Sequence, residues 1–354
     1  MNVRKLVAIL PATIAGALLI IGPADIARIL RNDERPSPAM LVDDRAMLLS
    51  ESQREHVGRY HEALRQAHDI DYRVLVLADG GDIDQRAHRY FSEAGVGSQS
   101  ATGRGLLLVV DTAQDRVRLE VSTSLEGVYT DAFVAYVQNR QLVPFFAAGR
   151  VADGVVATTE LIVARAREAA TGKAFAPPMA PRSMGGGAAA TAAIGTAEDP
   201  AAAYKQQARE VDVAGATPLE VVEAYLEAMA ARDARTDLPI YSADTRRMLR
   251  NRVVTAAQMD TVARLYRKCR AEGVHMQADL AVVRYDVAQR ECAPYFLRRE
   301  EGEWRLDLAA ASAALRFNHE NHWRFDVPVT HEYRFAFEDW RIDGNGVPRA
   351  ARAR

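Results

Sequence analysis

One segment near the middle of the chain constrains its fold more than any motif does. From Ala174 to Ala203 the sequence reads AFAPPMAPRSMGGGAAATAAIGTAEDPAAA, with almost no large apolar side chain after Phe175. Such a stretch cannot bury enough apolar surface to offset its ordering entropy, so 174–214 is predicted to be a linker. The chain then divides into a first folded block at 36–173 and a second at 215–345, with an N-terminal segment at 1–35 and a basic tail at 346–354. The full length of 354 residues suits two domains. At 49% hydrophobic and 26% charged, the composition excludes the disordered, collagen-like and multi-span membrane classes. The net charge of -2 supplies no basic footprint, so no nucleic-acid partner is expected. Cys269 and Cys292 are too few for a four-Cys zinc site or a Cys-x-x-C motif, and form at most one disulfide, which spacing alone does not establish.

At the N-terminus, Arg4 and Lys5 precede an uncharged apolar stretch from Leu6 to Gly22. This is the order of a secretory signal or of a short anchor with its basic end inside. Two readings stay open: a membrane anchor with both blocks outside the cytoplasm, on the periplasmic side, or a cleaved signal that releases them there.

The first block alternates helical and strand signals. Ser50 with Gln53 makes a capping box, and Val57, Tyr60, Leu64 and Ala67 follow at helical spacing. Tyr72 to Ala78 is a strand, Ile83 to Glu93 a helix, and 105–110 and 117–121 are two further strands, the second alternating and so nearer an edge. Thr130 caps a helix with Asp131 in its first turn, and a last helix runs from about Val151 to Thr171. Helices on a small mixed sheet make an α/β sandwich.

Several strings in this block bring a family into view. They are Leu48-Leu49-Ser50, Gly95-Val96-Gly97, the strands Gly105 to Val109 and Arg118 to Val121, and Leu125-Glu126-Gly127-Val128-Tyr129-Thr130-Asp131. Pro144, Phe146, Gly149 and Gly154 follow in order. The block resembles the TPM domain of thylakoid-lumen and related membrane-tethered proteins. The resemblance implies an α/β sandwich that binds a divalent cation such as calcium. It also implies either weak acid phosphatase activity or a role in assembling, repairing or modulating membrane protein complexes. Where family members carry Asp-Asn-Gly before the central strand, this chain has Gly103-Arg104-Gly105, and Ser122 and Ser124 replace glycines of the pattern.

Glu126 and Asp131 match the family string, and Asp111 and Asp79 lie at strand ends, so these four carboxylates are the candidate metal ligands. Each also has a local role open to it, in a turn or at a helix start. His61-Glu62-Ala63-Leu64-Arg65 lacks a second histidine, and His319-Glu320-Asn321-His322 lacks a third ligand. These are expected to be surface histidines. No Gly-x-Ser-x-Gly elbow or P-loop occurs.

The second block opens with a capping box at Thr217-Pro218-Leu219-Glu220. Helices at about 245–252 and 256–272 follow, and a hairpin joins Tyr295 to Arg299 with Trp304 to Leu308 across Gly302. This predicts an α+β domain with an antiparallel sheet, Cys269 on a helix and Cys292 on a strand. Alternation at Tyr333, Phe335 and Phe337 suggests an aromatic strand face, either packing a core or lining a ligand site. The pattern loosely resembles the cone-shaped nuclear transport factor two-like fold.

The function expected first is that of a membrane-tethered, extracytoplasmic TPM-domain protein, acting as a binding or accessory module for a protein in or at the membrane. A divalent-metal-dependent weak acid phosphatase is the alternative. A small-ligand carrier built on the second block is the third.

Overall fold

The structure, a computed structural model, describes residues 40–176, 191–193, 211–318 and 320–350. The apolar N-terminal stretch, most of the expected linker, His319 and the last four residues lie outside the described residues.

In the first block the capping box forms as expected, with the Ser50 hydroxyl accepting from the Gln53 amide and the Gln53 side chain accepting from the Ser50 amide. It starts helix α1 (Glu51–His68), which buries Val57 and Leu64. Strand β1 (Val42–Asp44) pairs in parallel with β2 (Asp71–Leu77), and β2 in parallel with β3 (Gly105–Asp111). Strand β4 (Arg116–Val121) runs antiparallel to β3, and β5 (Thr191–Ala193), inside the expected linker, pairs antiparallel with β4. Both β2 and β3 are buried along their whole length, as strands covered on two faces must be.

Alternate residues supply the two covers. Tyr72, Val74, Val76, Leu106, Leu108 and Val110 pack with Leu64 of α1 and Ile162 of α5 (Val151–Ala170). On the other face Leu75, Leu77, Leu107 and Val109 meet Ile83, Ala87 and Tyr90 of α2 (Ile83–Glu93). The block is therefore an α/β sandwich on a mixed sheet. Between β4 and α5 the chain makes α3 (Asp131–Tyr136), capped by Thr130, then a π-helical turn (Val137–Leu142) and α4 (Val143–Ala147).

The second block places α6 (Pro218–Ala230), α7 (Ala243–Arg250) and α8 (Ala256–Tyr266) before an antiparallel sheet of β6 (Ala271–Gln277), β7 (Leu280–Tyr285), β8 (Tyr295–Glu300) and β9 (Glu303–Leu306). Helix α8 ends before residue 272 because β6 has already begun at Ala271. The β8–β9 hairpin turns through Glu301 and Gly302, both with positive φ. Helix α9 (Leu308–Ala314) and two short ribbons, β10 (Leu315–Phe317) with β11 (Trp323–Phe325) and β12 (Trp340–Ile342) with β13 (Pro348–Ala350), complete it.

Two expectations are corrected in this block. Tyr333, Phe335 and Phe337 lie on a 3-10 helix (Glu332–Phe337), not on a strand. With about three residues per turn it buries Tyr333, Ala336 and Phe337 together. These rings fill a core, with Tyr333 stacked on Phe296 at 4.5 Å and Phe325 against Phe337 at 4.9 Å. Cys269 and Cys292 do form a disulfide, with Cα atoms 6.0 Å apart. Neither sits on the element expected: Cys269 follows α8, which stops at Tyr266 and short of the expected 272, and Cys292 precedes β8, which begins only at Tyr295.

Candidate functional site

The direction of β4 determines which candidate ligands can meet. Parallel β2 and β3 finish at Leu77 and Asp111, which puts Asp79 and Asp111 at one end of the sheet. Strand β4 begins opposite that end, Arg116 against Asp111, and finishes with Val121 against Leu106. The chain therefore leaves β4 at the other end, with Ser122 beside Gly105, and Glu126 and Asp131 follow from there. A strand of 7 residues spans roughly 20 Å, so the two pairs cannot share one ion.

Asp79 and Asp111 also have local work, and the other two are exposed. Asp131 stands exposed in the first turn of α3, and Glu126 is exposed after a 3-10 turn. Asp79 accepts from Arg86 Nη1 at 2.5 Å, and that bond holds its carboxyl below the usual range. Asp111 Oδ1 accepts from the amides of Ala113 and Gln114, while its buried Oδ2 has no partner. Among the described residues no group of three or more His, Cys, Asp or Glu side chains is placed to hold a metal ion. A calcium ion takes about six to eight oxygen ligands, and these residues do not fit it.

The Gly105 end carries a different set of side chains. Arg104 Nη1 donates to the His68 carbonyl at 3.0 Å, and its Nε is buried without an acceptor. Burial, and then the charges of Arg104 and Arg167, push the His68 imidazole below its ordinary value. Asp69, in a left-handed conformation that ends α1, accepts from the Ala101 amide at 2.7 Å and the Thr102 hydroxyl at 2.6 Å. Ser122 Oγ accepts from the Gly105 amide at 3.0 Å. Gly105 itself is required: a Cβ there would stand 2.8 Å from both the Phe91 ring and the Val96 carbonyl. This end thus holds a guanidinium in the stretch where the family pattern places a carboxylate.

Beneath it lies an ion pair that sequence reasoning missed. Asp71 and Arg73 at the start of β2 are both wholly buried. Asp71 accepts from the Gly97 amide at 2.8 Å, and Arg73 Nη1 donates to the Ala94 carbonyl at 2.8 Å. Opposite charges at i and i+2 of a strand share a face, which is the signal that could have found them. His61 is likewise corrected: it is 2% exposed rather than on the surface, with Nδ1 2.6 Å from the Tyr72 carbonyl, because α1 turns it toward β2. His322 lies 3.3 Å from Glu320.

The fold and this sheet end define an α/β domain of a recognisable kind. Residues 42–165 match the TPM domain family, and the first block is a TPM domain. The solution NMR structure of the N-terminal domain of a protein from P. gingivalis is similar at 26% identity, covering 39% of this chain and 87% of that chain, with a TM-score of 0.34. No curated protein matches the chain.

Proposed function

We propose that this chain is a TPM-domain binding or accessory module for a membrane-associated protein, held outside the cytoplasm by its N-terminal segment, and not a metal-dependent phosphatase. The observation that carries this reading is the separation of Asp79 and Asp111 from Glu126 and Asp131 by the length of β3, with Arg104 at the end where the family pattern calls for a carboxylate. Hard-cation binding needs converging oxygens, and a guanidinium at the same end of the sheet opposes a second cation. The basic flank Arg4-Lys5 and the apolar run Leu6 to Gly22 support the tether. No helix among the described residues is long and apolar enough to cross a membrane.

Calorimetric titration of calcium into the full chain, paired with phosphate release from p-nitrophenyl phosphate, tests the reading. No saturable heat and no calcium-dependent turnover are expected. Saturable binding abolished by Asp131→Asn, with turnover lost in parallel, would establish the phosphatase instead. Cross-linking in native membranes supplies the positive arm: a discrete adduct with a membrane protein is expected, unchanged by Asp131→Asn.

A further inference from the structure

We infer that the outer face of α3 and the π-helical turn is an interaction surface whose partner is α8 of the same chain, so that the second block is a constitutive partner of the TPM domain in cis. The polar groups on the two sides are matched and desolvated. The Tyr136 hydroxyl donates to Asp260 Oδ2 at 2.8 Å, with Tyr136 5% and Asp260 6% exposed. From the second block, Arg232 clamps the same carboxylate, with Nε 2.8 Å from Oδ1 and Nη2 3.0 Å from Oδ2. Asp260, with the hydrogen bond it takes, raises the Tyr136 phenol further in the direction burial already sets, which keeps it a donor. One turn along, the Thr255 hydroxyl donates to Gln141 Oε1 at 2.6 Å, and both residues are 1% exposed.

The π-helical turn makes this possible. Its extra residue per turn gives two buried glutamines different jobs: Gln138 reaches inward to the Val117 carbonyl at 3.2 Å, and Gln141 meets Thr255 of the other block. Apolar packing continues across the same line, where Ala257 of α8, 1% exposed, belongs to the core of the TPM domain. At the rim Arg150 Nη1 donates to the Asn251 carbonyl at 2.6 Å, and Arg264 lies 3.6 Å from Glu168. Separating the blocks would open the packing at Ala257 and leave Gln141 and Tyr136 facing water on an otherwise apolar surface. Interfaces in which buried polar groups find their partners across the boundary behave as docked surfaces rather than as chance contacts. The inference stands whichever function the TPM domain has, and it removes this face from those a second protein can use.

The test cuts the chain without removing anything from it. A protease site is inserted between residues 200 and 210 of the full chain, cleaved, and the product run on size exclusion under native conditions. The disulfide lies wholly within the second block, so no covalent bond would join the pieces. They are expected to co-elute. Asp260→Ala is expected to weaken their association by about tenfold to a hundredfold, the scale for losing the Tyr136 hydrogen bond to a charged group across the boundary. Hydrogen exchange on the uncut Asp260→Ala chain gives the second readout: amides of 136–142 should exchange faster while those of β7 and β8 keep their protection. Separation of the wild-type pieces with each still folded by circular dichroism, or unchanged exchange at 136–142 in the variant, would overturn the inference.

Discussion

Asp71 and Arg73 meet through two hydrogen bonds on one face of β2, Nε to Oδ1 at 3.0 Å and Nη2 to Oδ2 at 2.7 Å, with both side chains wholly excluded from solvent. The pair also fastens the loop that leads into β3, because Asp71 takes the amides of Gly97 and Gln99 and Arg73 gives to the carbonyls of Ala94 and Gly95. Arg73→Met would leave a buried carboxylate with backbone partners alone. We expect a loss of about 3–5 kcal/mol, read as a lower urea midpoint. Burial alone would raise the Asp71 carboxyl, but the bond and charge of Arg73 outweigh it and hold it below the ordinary value. A group lowered in this way contributes stability above the unfolded aspartate pKa of about 3.9 and loses it as pH falls through the folded value. Acid unfolding of the wild type should therefore steepen below that point, and Arg73→Met should flatten it.

Gly154 is fixed by its neighbour and not by its backbone. A methyl group there would stand 2.8 Å from Phe145 Cβ, where α5 crosses α4. Alanine normally gains about 1 kcal/mol over glycine inside a helix. At this position Gly154→Ala should instead cost about 1–3 kcal/mol through overpacking. Gly58 on α1 has open space around its Cβ position, so Gly58→Ala should stabilise and serves as the control. Thermal melts of the two variants should move in opposite directions.

His331 gives the second block an acid sensitivity. Its ring lies between Phe296 at 5.4 Å and Phe325 at 5.7 Å, and both ring nitrogens are buried without a hydrogen-bond partner. Burial pushes its pKa down, so the folded state favours the neutral ring. The contribution is complete above the unfolded histidine value of about 6.5 and is lost as pH falls from there through the folded value. His331→Phe should keep the stacking and reduce the difference in urea midpoint between pH 7 and pH 5. An unchanged pH dependence would show that other groups set it.

Much of this architecture was legible because short-range rules decide it. Ser50 with Gln53 and Thr217 with Glu220 make the capping boxes their spacing announces. The hairpin across Gly302 and the strand before Asp111 form where alternation and apolar runs place them. What escaped depends on direction and on partners distant in sequence. The pattern at 117–121 shows a strand but not which way it runs, and that direction alone sends Glu126 and Asp131 away from Asp79 and Asp111. Alternating aromatics at 333–337 have the period of a strand, but the 3-10 helix they form repeats every three residues, so Tyr333 and Ala336 share a side and Phe335 is only partly buried. The burial of Asp71, Arg73 and His61 needs β2, α1 and the 94–104 loop assembled before any of them has a partner.

The antiparallel return of β4 gives the domain two poles. The loops at 78–82 and 111–115 form one, and those at 95–104 and 122–130 form the other. A ligand of ordinary size can touch only one of them, and a substitution at one end reaches the other only through the length of a packed strand. The TPM domain thus presents two separate loop sets, and a substitution at the Arg104 pole need not disturb the geometry of the Asp111 pole.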